Sequence, residues 1–195
     1  MKQPALFTFI IVVLAACSQS SSAPKEVFNP EFNWTIAIPD GFDNVDPKEW
    51  ARLQGKGTAA LENTTGQQIE NNSTDIFVFK SGQLNYFEAN YQPYDTAIDG
   101  DHRESVRVVN DLLYETFMSQ LPGIKVDSAT SVENIDGLDF YTTKMKIDYP
   151  SKMVMRFEMY NRLFDQKEMT VNIIYVDEEK GKQMRDSWMK SKFGK

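Results

Sequence analysis

Lys152-Met153-Val154-Met155-Arg156-Phe157-Glu158-Met159-Tyr160-Asn161-Arg162-Leu163-Phe164 alternates apolar and charged side chains over much of its length. At a period of two, Met153, Met155, Phe157 and Met159 share one face of a strand, while Arg156 and Glu158 take the other. The pattern predicts one buried and one solvated face, a common state in antiparallel sheets. The neighbouring segments repeat the period. Upstream, Lys125 to Val132 leads through Asn134-Ile135-Asp136-Gly137 into Leu138 to Tyr149, and Pro150-Ser151 turns into the quoted strand. Downstream, Asp165-Gln166-Lys167 turns into Glu168 to Val176. Turns this short join antiparallel neighbours, so residues 125–176 read as a meander.

Helical signals flank the meander. Asp177-Glu178-Glu179 places acids at the positive end of a helix in which Met184 and Trp188 pair at i,i+4, with Lys190 and Lys192 at its negative end. Asp101-His102-Arg103-Glu104 reads as a capping box, followed by Val106, Val109, Leu113 and Phe117 at helical spacing and a stop at Leu121-Pro122-Gly123. Asp46-Pro47-Lys48-Glu49 opens another helix, with Trp50, Leu53, Ala60 and Leu61 on its apolar side. Between these helices, Asp75 to Lys80 and Leu84 to Tyr91 read as a hairpin around Ser81-Gly82-Gln83. Trp34 to Ile38 is a short strand that ends at Pro39-Asp40-Gly41. The expected fold class is α+β, a single domain over residues 32–195 with an antiparallel sheet flanked by helices.

This order, with its strand ending in Pro39-Asp40-Gly41-Phe42 and a helix closing the chain, resembles the PsbP-like superfamily. The resemblance implies an α/β/α sandwich that serves as a binding or assembly module. It supplies no shared catalytic constellation, so no functional residue is carried over from it. A cystatin-like or NTF2-like curved sheet is the alternative, and it would not need the terminal helix.

Residues 1–16 read as a signal peptide: Lys2 provides the positive start, and Ala5 to Ala16 is an uninterrupted apolar run too short to span a bilayer. Leu14-Ala15-Ala16-Cys17 resembles the lipobox of bacterial lipoproteins. The resemblance implies cleavage before Cys17, lipidation of its sulfur, and a cell-envelope location anchored to the membrane. Ser18 after it is compatible with outer-membrane sorting. Residues 17–31 then read as the lipidated cysteine and a flexible tether, reaching roughly 20 Å at about 5–6 Å × √n.

The formal net charge is −7, with 28 acidic against 21 basic side chains, which argues against nucleic acid as a partner. There is one cysteine and one histidine. With Cys17 used for lipid, the domain has no disulfide, no cysteine zinc site and no thiol nucleophile. With His102 alone, H-E-x-x-H chemistry is excluded. His102 itself reads as an exposed first-turn residue, against a metal site built from Asp95, Asp99, Asp101 and His102. Met145, Met153, Met155, Met159 and Met169 are expected to fill the core rather than bind Cu(I). Tyr86, Phe87, Tyr91 and Tyr94 are expected to pack rather than form an aromatic platform. Gly55-Lys56-Gly57-Thr58 lacks the phosphate-loop spacing. Asp95-Thr96-Ala97 and Asp127-Ser128-Ala129 are similar to the short glycosylation sites of Bacteroidetes envelope proteins. No catalytic, cofactor or metal residue is assigned. The expected function is a lipid-anchored, non-catalytic binding or assembly module for a protein or small ligand; the alternative is an envelope hydrolase of glycans or esters that uses carboxylates.

Overall fold

The computed structural model describes residues 25–194. In chain order the elements are β1 (Lys25–Asn29), β2 (Trp34–Ile38), β3 (Asp43–Asn44), α1 (Pro47–Thr65), β4 (Thr74–Lys80), β5 (Tyr86–Pro93), α2 (Thr96–Asp99) and α3 (His102–Gln120). Then follow β6 (Lys125–Ile135), β7 (Leu138–Asp148), β8 (Val154–Phe164), β9 (Lys167–Tyr175), α4 (Glu178–Met189) and β10 (Lys192–Phe193). Each long helix starts where a carboxylate meets its orphan amides. Asp46 accepts from Lys48 N at 2.9 Å, Asp101 from Glu104 N at 3.0 Å, and Asp177 from Glu179 N at 2.9 Å.

The meander forms as the turns require. Asp136 and Gly137 both take positive φ, 51° and 86°, as a two-residue hairpin demands, and this locks β6 to β7 from Ile135↔Leu138 to Lys125↔Asp148. The hairpin β4–β5 attaches to β9, which gives one seven-stranded antiparallel sheet in the order β3-β4-β5-β9-β8-β7-β6. A second sheet, β1-β2-β10, lies with α4 over one face. The crossover helices α1 and α3 cover the other.

The face under α4 is apolar. Trp34 and Trp188 are both fully buried and meet edge to face at 5.8 Å, with Phe140 5.0 Å from Trp188 and Phe193 stacked on Trp34 at 5.9 Å. Each buried aromatic removes about 150–250 Å² from water at about 25 cal/mol per Å², so this layer supplies much of the folding energy. At Gly181 the helix approaches so closely that a Cβ would lie 2.4 Å from the Tyr175 ring.

Several expectations change. Residues 25–29 are a strand paired with β2 rather than part of a tether, and Phe32 is buried. Val27 packs on the core while Phe28 is 58% exposed, so β1 carries no alternation to read and forms through backbone pairing. The solvated face expected for β8 is covered: Glu158 is 5% exposed, accepts hydrogen bonds from Tyr160 Oη (2.8 Å) and Tyr175 Oη (3.0 Å), and is paired with Arg185 Nη1 at 2.9 Å. Met153 falls before β8 begins. On α3 the buried stripe runs through His102, Val106 and Asn110, while Val109 is exposed. Glu104 pairs with Arg107 instead of completing the capping box. After α4 the chain adds β10, which pairs with β2.

Candidate binding cleft

The sheet face under α1 and α3 differs in chemistry from the face under α4. Strand alternation and register place Asn90, Thr170, Asn161 and Tyr141 in one row across β5, β9, β8 and β7, with Glu88 and Asn172 beside it on one side and Gln92 and Glu168 on the other. Only one end of this face is apolar, where Met145, Phe157 and Met159 pack under Leu113 and Phe117. The rest is a polar belt inside the molecule.

Much of the belt is internally paired. Asn90 Nδ2 donates to Glu88 Oε2 at 3.0 Å, and Asn172 Nδ2 donates to Glu88 Oε1. Thr170 Oγ1 donates to Asn161 Oδ1 at 2.8 Å. His102 Nε2 lies 3.0 Å from Glu168 Oε1, and Gln92 Nε2 donates to Glu168 Oε2 at 2.7 Å. Burial pushes the Glu88 carboxyl up to about 7, outweighing the two amide donors, and nearby Asp75 adds to the rise. Asp75 is raised as well, chiefly by its own burial. Five polar atoms on or over this face are buried without a partner among the described residues: Asn110 Oδ1, Thr116 Oγ1, Thr143 Oγ1, Asn161 Nδ2 and Asn172 Oδ1. Each such atom costs about 1–3 kcal/mol when left unmet.

Between α3 and strands β6–β7 the belt opens into a cleft of about 560 Å³. Asn110 lines it, 7% exposed, with its unpartnered Oδ1. Around it stand Tyr114, Ser128, Thr130, Tyr141 and the guanidinium of Arg107. Arg107 is neutralised by Glu104 and Asp111, each at 3.0 Å. Arg103 also lines the cleft, with no ion-pair partner among the described residues, so the cleft offers hydroxyls, an amide, two tyrosines and one unpaired guanidinium. A second depression of about 450 Å³ beside α4 is lined by Lys144, Lys146, Arg156 and Arg185, but these are paired with Glu133, Asp148, Glu178 and Glu158. A third, of about 270 Å³ at Trp50, Leu53, Leu84 and Tyr86, is apolar.

The residues singled out from sequence do not converge on these features. Cys17 and its lipobox lie outside the described residues. Asp95 and Asp101 cap α2 and α3, Asp99 accepts from Asp95 N, and His102 is 8% exposed against Glu168, with Tyr94 edge-on at 5.2 Å. His102 is thus buried rather than exposed, because its stripe faces the sheet. Among the described residues no group of three or more His, Cys, Asp and Glu is placed to hold a metal. Met145 and Met159 sit under α3, whereas Met169 belongs to the opposite layer. Phe87 is core, Tyr86 packs near Trp50 at 6.4 Å, Tyr91 meets Phe32 at 5.5 Å, and Tyr94 is buried. Gly55 to Thr58 lie within α1. Asp127-Ser128-Ala129 is exposed on β6. Asn110, Tyr114, Thr130 and Tyr141 were not anticipated; the signal was Asn110, a polar residue on the Val106–Leu113–Phe117 stripe.

No family model and no curated protein matches the chain. Among solved structures it is similar to the solution structure of cyanobacterial PsbP (CyanoP) from Synechocystis sp. PCC 6803, with a TM-score of 0.56 over 93% of this chain and 99% of that one. The fold is PsbP-like. At 9% identity the likeness is one of fold. The chemistry of the cleft is read from this chain's own residues on the PsbP-like frame.

Proposed function

We propose that the protein is a lipid-anchored envelope protein, held through Cys17, whose PsbP-like domain binds a small polyhydroxylated ligand in the cleft between α3 and β6–β7 without transforming it. The observation that carries the binding part is Asn110, a buried amide with an unpartnered oxygen in a cleft of about 560 Å³. That volume lies within the range of small-molecule sites, about 300–1,000 Å³. Hydroxyl groups of a sugar-like ligand would exchange hydrogen bonds with Ser128, Thr130, Tyr114 and Tyr141, and would reach Asn110 Oδ1, which lies below the cleft surface, once that side chain turns. The two arginines of the lining, Arg103 and Arg107, are matched in number by Glu104 and Asp111, so the cleft carries no net charge that would favour an anion. The anchoring part rests on the Leu14–Cys17 lipobox.

The hydrolase reading is less well supported. Two carboxylates border the cleft, Glu104 and Asp111, but their side chains are 64% exposed and both are pinned to Arg107. A general acid needs burial without such a partner. Glu88 has the burial but does not line the cleft. The test is an NMR titration of the isotope-labelled protein with a panel of mono- and disaccharides. Saturable shifts at Asn110, Tyr114, Thr130 and Tyr141 with the sugar recovered intact support the proposal. Saturation elsewhere, or hydrolysis of the sugar, overturns it.

A further inference from the structure

The outer edge of β6 is the longest open strand edge of the main sheet. The strand is the last in the sheet order and pairs with β7 over eleven residue pairs without a bulge. Most of its residues are exposed, Val132 to 56%. Natural edge strands are shortened, bulged, broken by proline or covered, because their free amides and carbonyls template another strand. Neither proline nor bulge nor shortening protects β6; its charges, Lys125, Asp127 and Glu133, lie toward its two ends and leave Ser128 to Val132 uncharged. The opposite edge of the sheet is β3, two residues long.

The sequence of β6 says what fits there. Because the hairpin closes at Ile135↔Leu138, the odd-numbered residues exchange hydrogen bonds with β7, and Val126, Ser128, Thr130 and Val132 direct their amides and carbonyls outward. A second β6, antiparallel and centred on Ala129, sets Val126 opposite Val132 and Ser128 opposite Thr130 as hydrogen-bonded pairs. It also sets Lys125 opposite Glu133, twice, by the two-fold symmetry, where Glu133, already 2.7 Å from Lys144 of its own chain, would sit between two lysines. The smallest side chain of the strand, Ala129, falls on the axis. Moving the centre to Thr130 sets Asp127 against Glu133, twice. Moving it to Ser128 takes Glu133 beyond the strand.

We infer that two copies of this chain associate through β6, antiparallel about Ala129, to form one continuous sheet across the dimer. The pairing uses the backbone groups of Ser128, Thr130 and Val132, whose residues also line the cleft. On one face the junction is open, since α4 holds β8 through Arg185 and Glu158; on the other α3 passes over β6, where Val126 packs in the cluster with Leu113 and Phe117, so the two copies of α3 share one face of the joined sheet.

The register makes cross-linking decisive. Across the axis, the two Ala129 residues form a non-hydrogen-bonded pair with Cα atoms about 4.5 Å apart, inside the range a disulfide spans. The two Ser131 residues would lie about 14 Å apart at ~3.4 Å per residue. Full-length Ala129→Cys and Ser131→Cys are oxidised in cells and run without reductant, with the parent chain as the control for Cys17. The expected result is a disulfide dimer for Ala129→Cys and none above control for Ser131→Cys. Adding Lys125→Glu to Ala129→Cys lowers the dimer yield about tenfold, and Lys125→Glu with Glu133→Lys restores it. Equal cross-linking at both positions, no dimer at Ala129→Cys, a mixed disulfide with another protein in its place, or no response to the charge exchange would each overturn the inference.

Discussion

Glu88→Gln isolates the polar belt in one number. Glu88 is 4% exposed, and its carboxyl is raised from 4.5 to about 7, with burial as the main cause. In the unfolded chain the group loses its proton near 4.5; in the folded chain it holds it to about 7. The folded state therefore binds more protons between these values, and the contribution of Glu88 to stability falls as pH rises through that window, then levels off. At about 1.4 kcal/mol per pH unit, the full loss is about 3 kcal/mol. Glutamine carries no such charge and can still accept from Asn90 or Asn172. Urea unfolding at intervals from pH 4 to pH 8 should show the advantage of Glu88→Gln over the parent growing by about 3 kcal/mol, nearly all of it between pH 4.5 and 7. Parallel stability curves for the two proteins would mean that Glu88 is solvated and that the belt is not an interior layer.

Three further outcomes follow from named contacts. His102→Leu leaves the buried Glu168 carboxylate with Gln92 as its remaining side-chain donor and should lower unfolding free energy by about 3 kcal/mol; a loss of a few tenths would return His102 to the surface. Gly181→Ala drives a Cβ into the Tyr175 ring and should cost about 2 kcal/mol, whereas Gly55→Ala, with no atom within 4 Å, should gain up to about 1 kcal/mol; urea midpoints that reverse this order would refute the packing of α4 on β9. Cys17→Ser should leave an unlipidated precursor by mass spectrometry, and mature protein of unchanged mass in the aqueous phase of a detergent partition would refute the anchor.

The meander, the three long helices and the PsbP-like order were legible because each depends on local chemistry. Asp46, Asp101 and Asp177 cap helices with their own side chains, and Asp136-Gly137 makes a turn that few other pairs can make. What was not legible depends on coverage. Glu158 looked like a solvent-facing strand residue until α4 brought Arg185 over it, and His102 looked exposed until α3 settled against β9. β1 left no pattern, because its register comes from β2 rather than from its own side chains. The cleft is assembled from α3, β6 and β7, so no single window of sequence contains it. Asn110 alone carried a readable trace, a polar side chain within an apolar stripe.

The most direct test of the binding account is Asn110→Leu, read twice on the same protein. If Asn110 is kept for a ligand, replacing its unpartnered buried oxygen by an apolar group should leave stability equal or raise it by up to about 1–3 kcal/mol. The sugar-induced shifts at Tyr114, Thr130 and Tyr141 should at the same time disappear. A variant that binds as the parent does would show that Asn110 makes no contact with the ligand, and one that loses stability by more than about 1 kcal/mol would show that Asn110 serves the fold; either contradicts the account.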